Sequence, residues 1–229
     1  MEPERCPTGI ASVDRLLGGG LERDSVTEIY GEGGSGKTLF CLQVAHRVAL
    51  DNQWVFYVDT EGVSVERLRA IAGSDLDRVL KRWLLSTPKD LAEQGKAVAT
   101  AGSLAREGSR PVGLIVVDSG TFFYRLSLSG PDEDDARQAL SLAVADLVVT
   151  ALRAHLPVLF TNQVWRSVRD GTLEPLGGSF LNHAAKTILR FDRLPGPRRR
   201  VVLVKHRSLP EGSAEFRIGP TGLESLGPG

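Results

Sequence analysis

The sequence predicts an α/β fold in which a mostly parallel, twisted sheet is flanked by helices, with antiparallel strands at its C-terminal edge. Three observations predict it. Short runs that are apolar on both faces (WVFYVD, VGLIVVD and PVLFTN) alternate with longer helical segments, the pattern of parallel strands covered by helices on both sides. A glycine-rich loop, GEGGSGKT, lies between a strand-like run and a helical one, where such sheets bind phosphates. In the last quarter the helices stop, and strand-like runs follow one another divided by Pro and Gly, which reads as antiparallel strands.

The elements follow in order. Thr8 is placed as the N-cap of a short helix through Leu17, ended by Gly18-Gly19-Gly20, because glycine leaves a helix at little steric cost. SVTEIY, from Ser25 to Tyr30, is the first core strand. After the glycine-rich loop, Leu39, Leu42, Ala45 and Val48 mark one face of a helix from about Gly36 to Leu50. Trp54 to Asp59 is the second strand. Helical segments are expected over Val65 to Ala72, Asp75 to Arg82 and Pro88 to Glu107. Val112 to Asp118 and Pro157 to Asn162 are buried strands either side of a long helix. Lys186 to Leu194, Arg199 to His206 and Ala214 to Ile218 complete the sheet. No linker divides residues 1–229, which predicts one domain.

Composition narrows the function classes. Hydrophobic residues at 41% and charged residues at 24% exclude a disordered chain. Lys plus Arg (28) equals Asp plus Glu (28), so binding to nucleic acid must come from a local patch rather than bulk charge. Two cysteines, Cys6 and Cys41, are too few for a disulfide framework, and Cys41 lies in an apolar helical run as a buried thiol would. The N-terminus lacks a secretory signal pattern. The apolar stretch from Ala139 to Phe160 is interrupted by Asp146, Arg153, His155 and Pro157, too polar for a membrane span. A cytoplasmic protein is expected.

Gly31, Glu32, Gly33, Gly34, Ser35, Gly36, Lys37 and Thr38 match G-x-x-x-x-G-K-[ST] between a strand and a helix. Glycines let successive N–H groups converge on an anion at the helix N-terminus. Lys37 then reaches the β- and γ-phosphates of ATP, and the Thr38 hydroxyl ligates Mg²⁺. Asp118 ends the strand LIVVD, which places a carboxylate for the metal beside the nucleotide crevice. A chance glycine turn, and a purely capping Asp118, are the plain alternatives.

Further segments carry a family resemblance. TGIASVDRLLGGG precedes the phosphate loop; VDTEG spans Val58 to Gly62, VDS Val117 to Ser119, TNQV Thr161 to Val164, and LGGSFLNHAAKTILR Leu176 to Arg190. Together they resemble the archaeal RecA/RadA recombinase superfamily over essentially the whole chain, and so imply a RecA-like ATPase core. The resemblance implies that Glu61 is the catalytic base that activates water. It also implies that Gln163 senses the γ-phosphate and passes its state to the loop that follows. Gln163 could equally be a simple loop-start residue.

Strand-exchange recombinases of archaea carry an N-terminal helical DNA-binding domain and a Phe-x-x-Ala linker. Here seven residues precede Thr8, and Phe-x-x-Ala does not occur; no N-terminal DNA-binding domain is expected. The loop SLSGPDEDDARQ is short and acidic, and the loop from Trp165 to Pro175 is also short. The set is more similar to the RadB branch than to RadA. It implies an accessory, mediator-type role in homologous recombination and repair. Weak ATPase and low-affinity binding of single-stranded DNA are implied too, with RadA, other repair proteins and further copies of the chain as partners. One departure concerns the base: VSV precedes Glu66-Arg67-Leu68, where related chains often carry an arginine near adenine.

Other residues have two readings. Arg166 and Arg169 flank Trp165, an arrangement that can stack on and neutralise single-stranded DNA or form a solvated loop with a packed indole. Arg198 to Arg200 and Lys205-His206-Arg207 bracket VVLV, with Arg190 and Arg193 on the preceding strand. Lys205, His206 and Arg207 are candidate DNA contacts. They could instead reach the ATP of a neighbouring subunit or form a solvated charge run. Asp132, Glu133, Asp134 and Asp135 either repel DNA or complement the dipole of the following helix. Trp54 and Trp83 are placed at strand starts and expected in the core. His183 has a relay and a structural reading; His155 and His46 carry no signal. A P-loop kinase would need an acceptor pocket and an arginine-rich lid, neither of which is found. A clock- or signalling-type RecA ATPase shares the opening motifs but not TNQV. Strand exchange lacks its domain and polymerisation motif.

Overall fold

The computed structural model describes residues 4–128, 130, 133–167 and 171–226. A small lead-in consists of β1 (Arg5–Cys6), α1 (Ala11–Leu16) and β2 (Leu21–Glu22), with β1 and β2 paired antiparallel. The core then alternates: β3 (Ser25–Gly31), α2 (Lys37–Leu50), β4 (Trp54–Asp59), α3 (Val65–Ala72), α4 (Leu76–Leu80), β5 (Trp83–Ser86), α5 (Leu91–Glu107) and β6 (Val112–Asp118). After α6 (Phe122–Ser127) and α7 (Glu133–Ala154) come β7 (Pro157–Asn162), the short strands β8 (Val164–Arg166) and β9 (Leu173–Pro175), and α8 (Gly178–Ala184). The chain closes with β10 (Thr187–Arg193), β11 (Arg198–His206), β12 (Gly212–Gly219) and β13 (Gly222–Ser225).

Nine strands form one sheet in the order β13-β12-β11-β10-β3-β7-β6-β4-β5. From β10 to β5 the neighbours are parallel, and from β10 to β13 they are antiparallel. The central runs are apolar throughout because each face has its own helical cover. Val55, Tyr57, Leu114, Val116 and Leu159 pack on the α2 side with Phe40, Leu42 and Val44. Their strand neighbours Phe56, Val58, Ile115, Val117, Val158 and Phe160 pack on the other side with residues of α5 and α7. A period of two along each strand therefore fills two cores.

Several sequence expectations need correction. Thr8 is not an N-cap: its hydroxyl donates to Asp14 Oδ1 (2.8 Å) and accepts from the Ile10 N–H (3.2 Å). The turn so closed delays the helix to Ala11. The expected helix from Pro88 begins at Leu91, because the Asp90 carboxylate caps it by accepting from the Glu93 N–H (2.7 Å). The expected 75–82 helix is shorter; β5 begins at Trp83 as a strand start was expected to, and β13 is an additional strand; each has only four residues. The first of the three C-terminal runs, β10, pairs parallel with β3 and antiparallel only with β11. Trp54 and Trp83 are half-buried rather than core. Trp83 stacks on Tyr57 (centroids 5.4 Å apart, 9° between planes), whereas Trp54 lies under two guanidinium groups. Cys6 and Cys41 are buried free thiols. Among the described residues no helix is long and apolar enough to cross a membrane.

Candidate nucleotide site

The site lies where β3, β4, β6 and β7 end. β3 approaches β10 so closely that a Cβ on Gly31 would stand 2.2 Å from the Phe191 carbonyl oxygen, which restricts that position to glycine. Gly36 has φ +103° and precedes α2, a conformation that side chains disfavour. A Cβ built on Gly33 or Gly34 meets no atom within 4 Å; the middle of the loop faces open space. A cavity of about 420 Å³ opens above it. Lys37, Thr38, Glu61, Asp118 and Gln163 form its polar wall. Leu39, Leu42 and Ile218 supply apolar lining, and Arg67 also lines the cavity.

Lys37 Nζ donates to the carbonyls of Gly31 (2.7 Å) and Glu32 (3.1 Å), which holds the ammonium across the loop. Burial lowers its pKa, opposed by the carboxylates of Asp118 and Glu61. Asp118 is buried and accepts from the hydroxyls of Tyr57 (2.8 Å) and Thr161 (2.5 Å) and from that of Thr38. Burial raises its pKa, and the three donors hold it back. One carboxylate and one adjacent hydroxyl suit Mg²⁺, which keeps several waters and is otherwise bound through substrate phosphates. With the open glycine loop and its half-buried ammonium, these residues fit a Mg²⁺–nucleotide.

Glu61 is placed by Asp59, whose carboxylate accepts from the N–H groups of Glu61 (3.3 Å), Gly62 (2.8 Å) and Val63 (2.7 Å). Gln163 meets Glu61 directly, Nε2 donating to Oε1 at 2.8 Å. Its own Oε1 accepts from Arg125 (3.4 Å), and its N–H donates to the Thr121 hydroxyl (2.9 Å). That hydroxyl donates to Asn162 Oδ1 (2.8 Å), and Asn162 Nδ2 donates to buried Glu28 and to the Leu176 carbonyl, both at 2.7 Å. A chain of hydrogen bonds thus runs from the cavity wall to Leu176, where the β8–β9 hairpin ends.

The residues considered for DNA occupy different settings. Trp165 is 46% exposed on the β8–β9 hairpin, and Arg166 beside it forms an ion pair with Glu32 of the phosphate loop (2.8 Å). Arg169 and Asp132 lie outside the described residues. Lys205, His206 and Arg207 do not form one basic face. Lys205 donates to the carbonyls of Asn182 and Ala185 (the latter at 2.9 Å) at the end of α8. The His206 side chain has no exposed surface, and Arg207 pairs with buried Glu22 (2.9 Å). A bulge in the β10–β11 pairing between Ile188 and Leu189 reverses the alternation that points Val201 and Leu203 to the core, so His206, opposite Thr187, turns inward, which corrects its reading as a surface contact. β10 and β11 do pair as a hairpin, with Arg193 opposite Arg199; Arg199 donates to the Gly34 carbonyl (3.0 Å). Glu133, Asp134 and Asp135 occupy the first turn of α7, which accords with the dipole reading. His183 lies in the last turn of α8.

Sequence reasoning missed Asp59, Tyr57 and Arg125, all within reach of residues it named. A signal for Arg67 was legible: Ser64 is a good helix cap, and it starts α3 by accepting from the Arg67 N–H (3.2 Å). Arg67, just after VSV, thus lines the cavity.

The model of the Rad51 family matches residues 4–226. A DNA repair and recombination protein RadB of Methanoculleus marisnigri is 41% identical over 99% of this chain and 100% of its own length. One of Thermoplasma acidophilum is 40% identical over 97% of this chain and 95% of its own. Among solved structures, a crystal structure of the RadB recombinase superposes with TM-score 0.81 at 35% identity, covering 97% of this chain and 100% of that one.

Proposed function

The chain belongs to the Rad51 family and to its RadB branch of DNA repair and recombination proteins, and from that premise we propose that it is an ATP-binding, DNA-binding accessory protein of homologous recombination. We take it as one RecA-like core acting as a mediator with weak ATPase.

The observation that carries this reading is the contact between the two functional regions: Arg166, next to exposed Trp165, is paired with Glu32 of the phosphate loop at 2.8 Å. In this reading Gly31 to Thr38 bind the phosphates, with Lys37 neutralising the β- and γ-oxygens. Thr38 and Asp118 hold Mg²⁺. Bound Mg²⁺–ATP supplies a polarised phosphoanhydride. Glu61 takes the proton of the attacking water, and Asp59 keeps Glu61 in place through three backbone donors. Gln163, bonded to Glu61, reports a change at the cavity wall to the hairpin that follows it. Trp165, Arg166 and Arg169 contact single-stranded DNA by stacking and charge. Lys205 anchors α8, and Arg207 neutralises Glu22. RadA, other repair proteins and further copies of the chain are the expected partners.

The test measures ATP turnover and affinity for a labelled oligothymidylate on the same preparation, with and without nucleotide, across a salt titration. A DNA affinity that shifts between the ADP and ATP-analogue states supports the reading. Strong DNA stimulation of turnover together with filaments in electron micrographs would replace it with strand exchange. No nucleotide dependence of DNA affinity would refute coupling of the two regions.

A further inference from the structure

At the opposite end of the sheet from the phosphate loop, three strand starts meet. Trp54 opens β4, Arg82 immediately precedes β5, and Arg110 stands two residues before β6. Parallel pairing holds them side by side: the Trp54 N–H donates to the Pro111 carbonyl and the Val55 N–H to the Arg82 carbonyl, both at 2.8 Å. The Arg110 guanidinium lies 4.4 Å from the Trp54 ring centre and that of Arg82 5.6 Å from it. Such contacts hold the planar cations against the indole. Beside them is a cleft of about 510 Å³ lined by Asn52, Ser74, Asp77, Arg78, Lys81 and Arg82.

In this cluster cations without a carboxylate partner coincide with an aromatic ring. On the C-terminal strands Arg198 and Arg200 share Glu215, Arg217 holds Glu224, Arg190 holds Asp192, and just beyond them Arg207 holds Glu22. None of the ion pairs among the described residues involves Arg78, Lys81, Arg82 or Arg110. The cleft contributes one carboxylate, Asp77, against three cations. Arg78 donates to the Leu50 carbonyl (2.7 Å), and Asp77 offsets one charge. In a chain of zero net charge, Arg82 and Arg110 at the ring with Lys81 beside them still leave a locally positive, anion-binding surface. Its chemistry selects among anions. Ammonium and guanidinium groups neutralise phosphodiesters, while guanidinium planes and an indole edge offer stacking to bases. An acidic peptide would use the charges and leave the planar surfaces idle.

We infer that the Trp54–Arg82–Arg110 cluster and the adjoining Arg78–Lys81 cleft form a second contact for single-stranded nucleic acid, remote from the nucleotide cavity and independent of ATP. The surface lies about one strand length, roughly 17–20 Å, from the C-terminal strand ends that carry the cavity. A strand bound there leaves the β8–β9 hairpin free for another segment.

The experiment uses the full chain and a fluorescein-labelled dT30 in anisotropy titrations from low to moderate salt, comparing wild type with R82A/R110A and R82K/R110K. R82A/R110A is expected to weaken binding about tenfold at low salt and to flatten the salt slope by roughly 0.7 for each phosphate no longer neutralised. Its affinity for a fluorescent ATP analogue should be unchanged. R82K/R110K should keep the slope yet bind several-fold more weakly, because charge survives and stacking does not. It also serves if the alanine pair fails to fold. Unchanged affinity and slope in a variant that melts like wild type overturns the inference. So does equal displacement of dT30 by polyglutamate matched in charge. An Arg166→Ala variant run alongside separates the two surfaces: retained binding there counts against the hairpin and leaves this cluster standing.

Discussion

Arg166 and Glu32 lie 134 residues apart and meet at 2.8 Å, Nη2 to Oε1. Both side chains are substantially exposed (62% and 42%), so the pair contributes at most about 1 kcal/mol to stability. A link that weak is easily exchanged. The same guanidinium that neutralises Glu32 is one of the groups offered to DNA. Glu32→Gln should therefore free Arg166 and tighten single-stranded DNA binding at low salt by up to roughly fivefold, the equivalent of about 1 kcal/mol. Arg166→Ala should weaken it and lower the salt slope by about 0.7. Anisotropy titration of both variants checks this; matching changes in the two would rule out an exchange.

Lys37→Ala should abolish ATP binding measurable by calorimetry. The ammonium is already drawn over the loop by the Gly31 and Glu32 carbonyls, and among the described residues no other lysine lines the cavity. Nucleotide affinity within a few-fold of wild type would place the phosphates elsewhere.

Glu61→Gln and Gln163→Ala should separate chemistry from signalling. Glu61→Gln keeps a hydrogen-bonding group beside Gln163 but loses the proton acceptor, so ATP should still bind while turnover falls about 10²-fold or more. Gln163→Ala removes the hydrogen bond at 2.8 Å and should leave nucleotide affinity intact while erasing the difference in DNA affinity between nucleotide states. Turnover unaltered in Glu61→Gln would exclude Glu61 as the base.

The legible parts of the fold were those where local pattern and tertiary setting agree. VGLIVVD and PVLFTN are apolar on both faces because helices cover both, and their limits match the strands residue for residue. WLLS was legible only at its start, Trp83, because four residues before Pro88 leave no period to fix its extent. Gly31 to Thr38 and Asp118 follow from spacing and position alone. The roles of Glu61 and Gln163 came only through family resemblance, and their contact across 102 residues was not read at all, since no local rule joins the ends of β4 and β7. Charge was the least legible quantity. Lys205-His206-Arg207 is the denser run in sequence, yet its charges are spent on α8 and Glu22. Arg82 and Arg110, 28 positions apart, stand uncompensated over one ring. Counting cations cannot distinguish the two, because pairing is decided by strand register.

Glu28 offers a test of the buried network through pH. It is 1% exposed in β3. Its Oε1 accepts from Asn162 (2.7 Å), while Oε2 has no hydrogen-bond partner among the described residues. Burial raises its pKa; the Asn162 amide and the Lys205 ammonium oppose this, and Tyr30 is the other ionisable group that senses its charge. A carboxyl with a raised folded-state pKa binds more protons folded than unfolded. Its contribution is thus most favourable below the unfolded value and is lost as pH rises through the folded one. Glu28→Gln keeps an oxygen to accept from Asn162 and removes the ionisation. Near pH 8 the variant should melt above wild type, by about 2–4 °C for each kcal/mol of charge-burial cost removed. The difference should shrink as pH falls toward 4.5, because wild-type Glu28 then becomes neutral while all other carboxylates titrate alike in both proteins. Melting curves of the two proteins at matched pH provide the measurement. A difference that stays constant, or grows on acidification, would mean that Glu28 is already neutral at pH 8 or that its charge is fully compensated by Lys205.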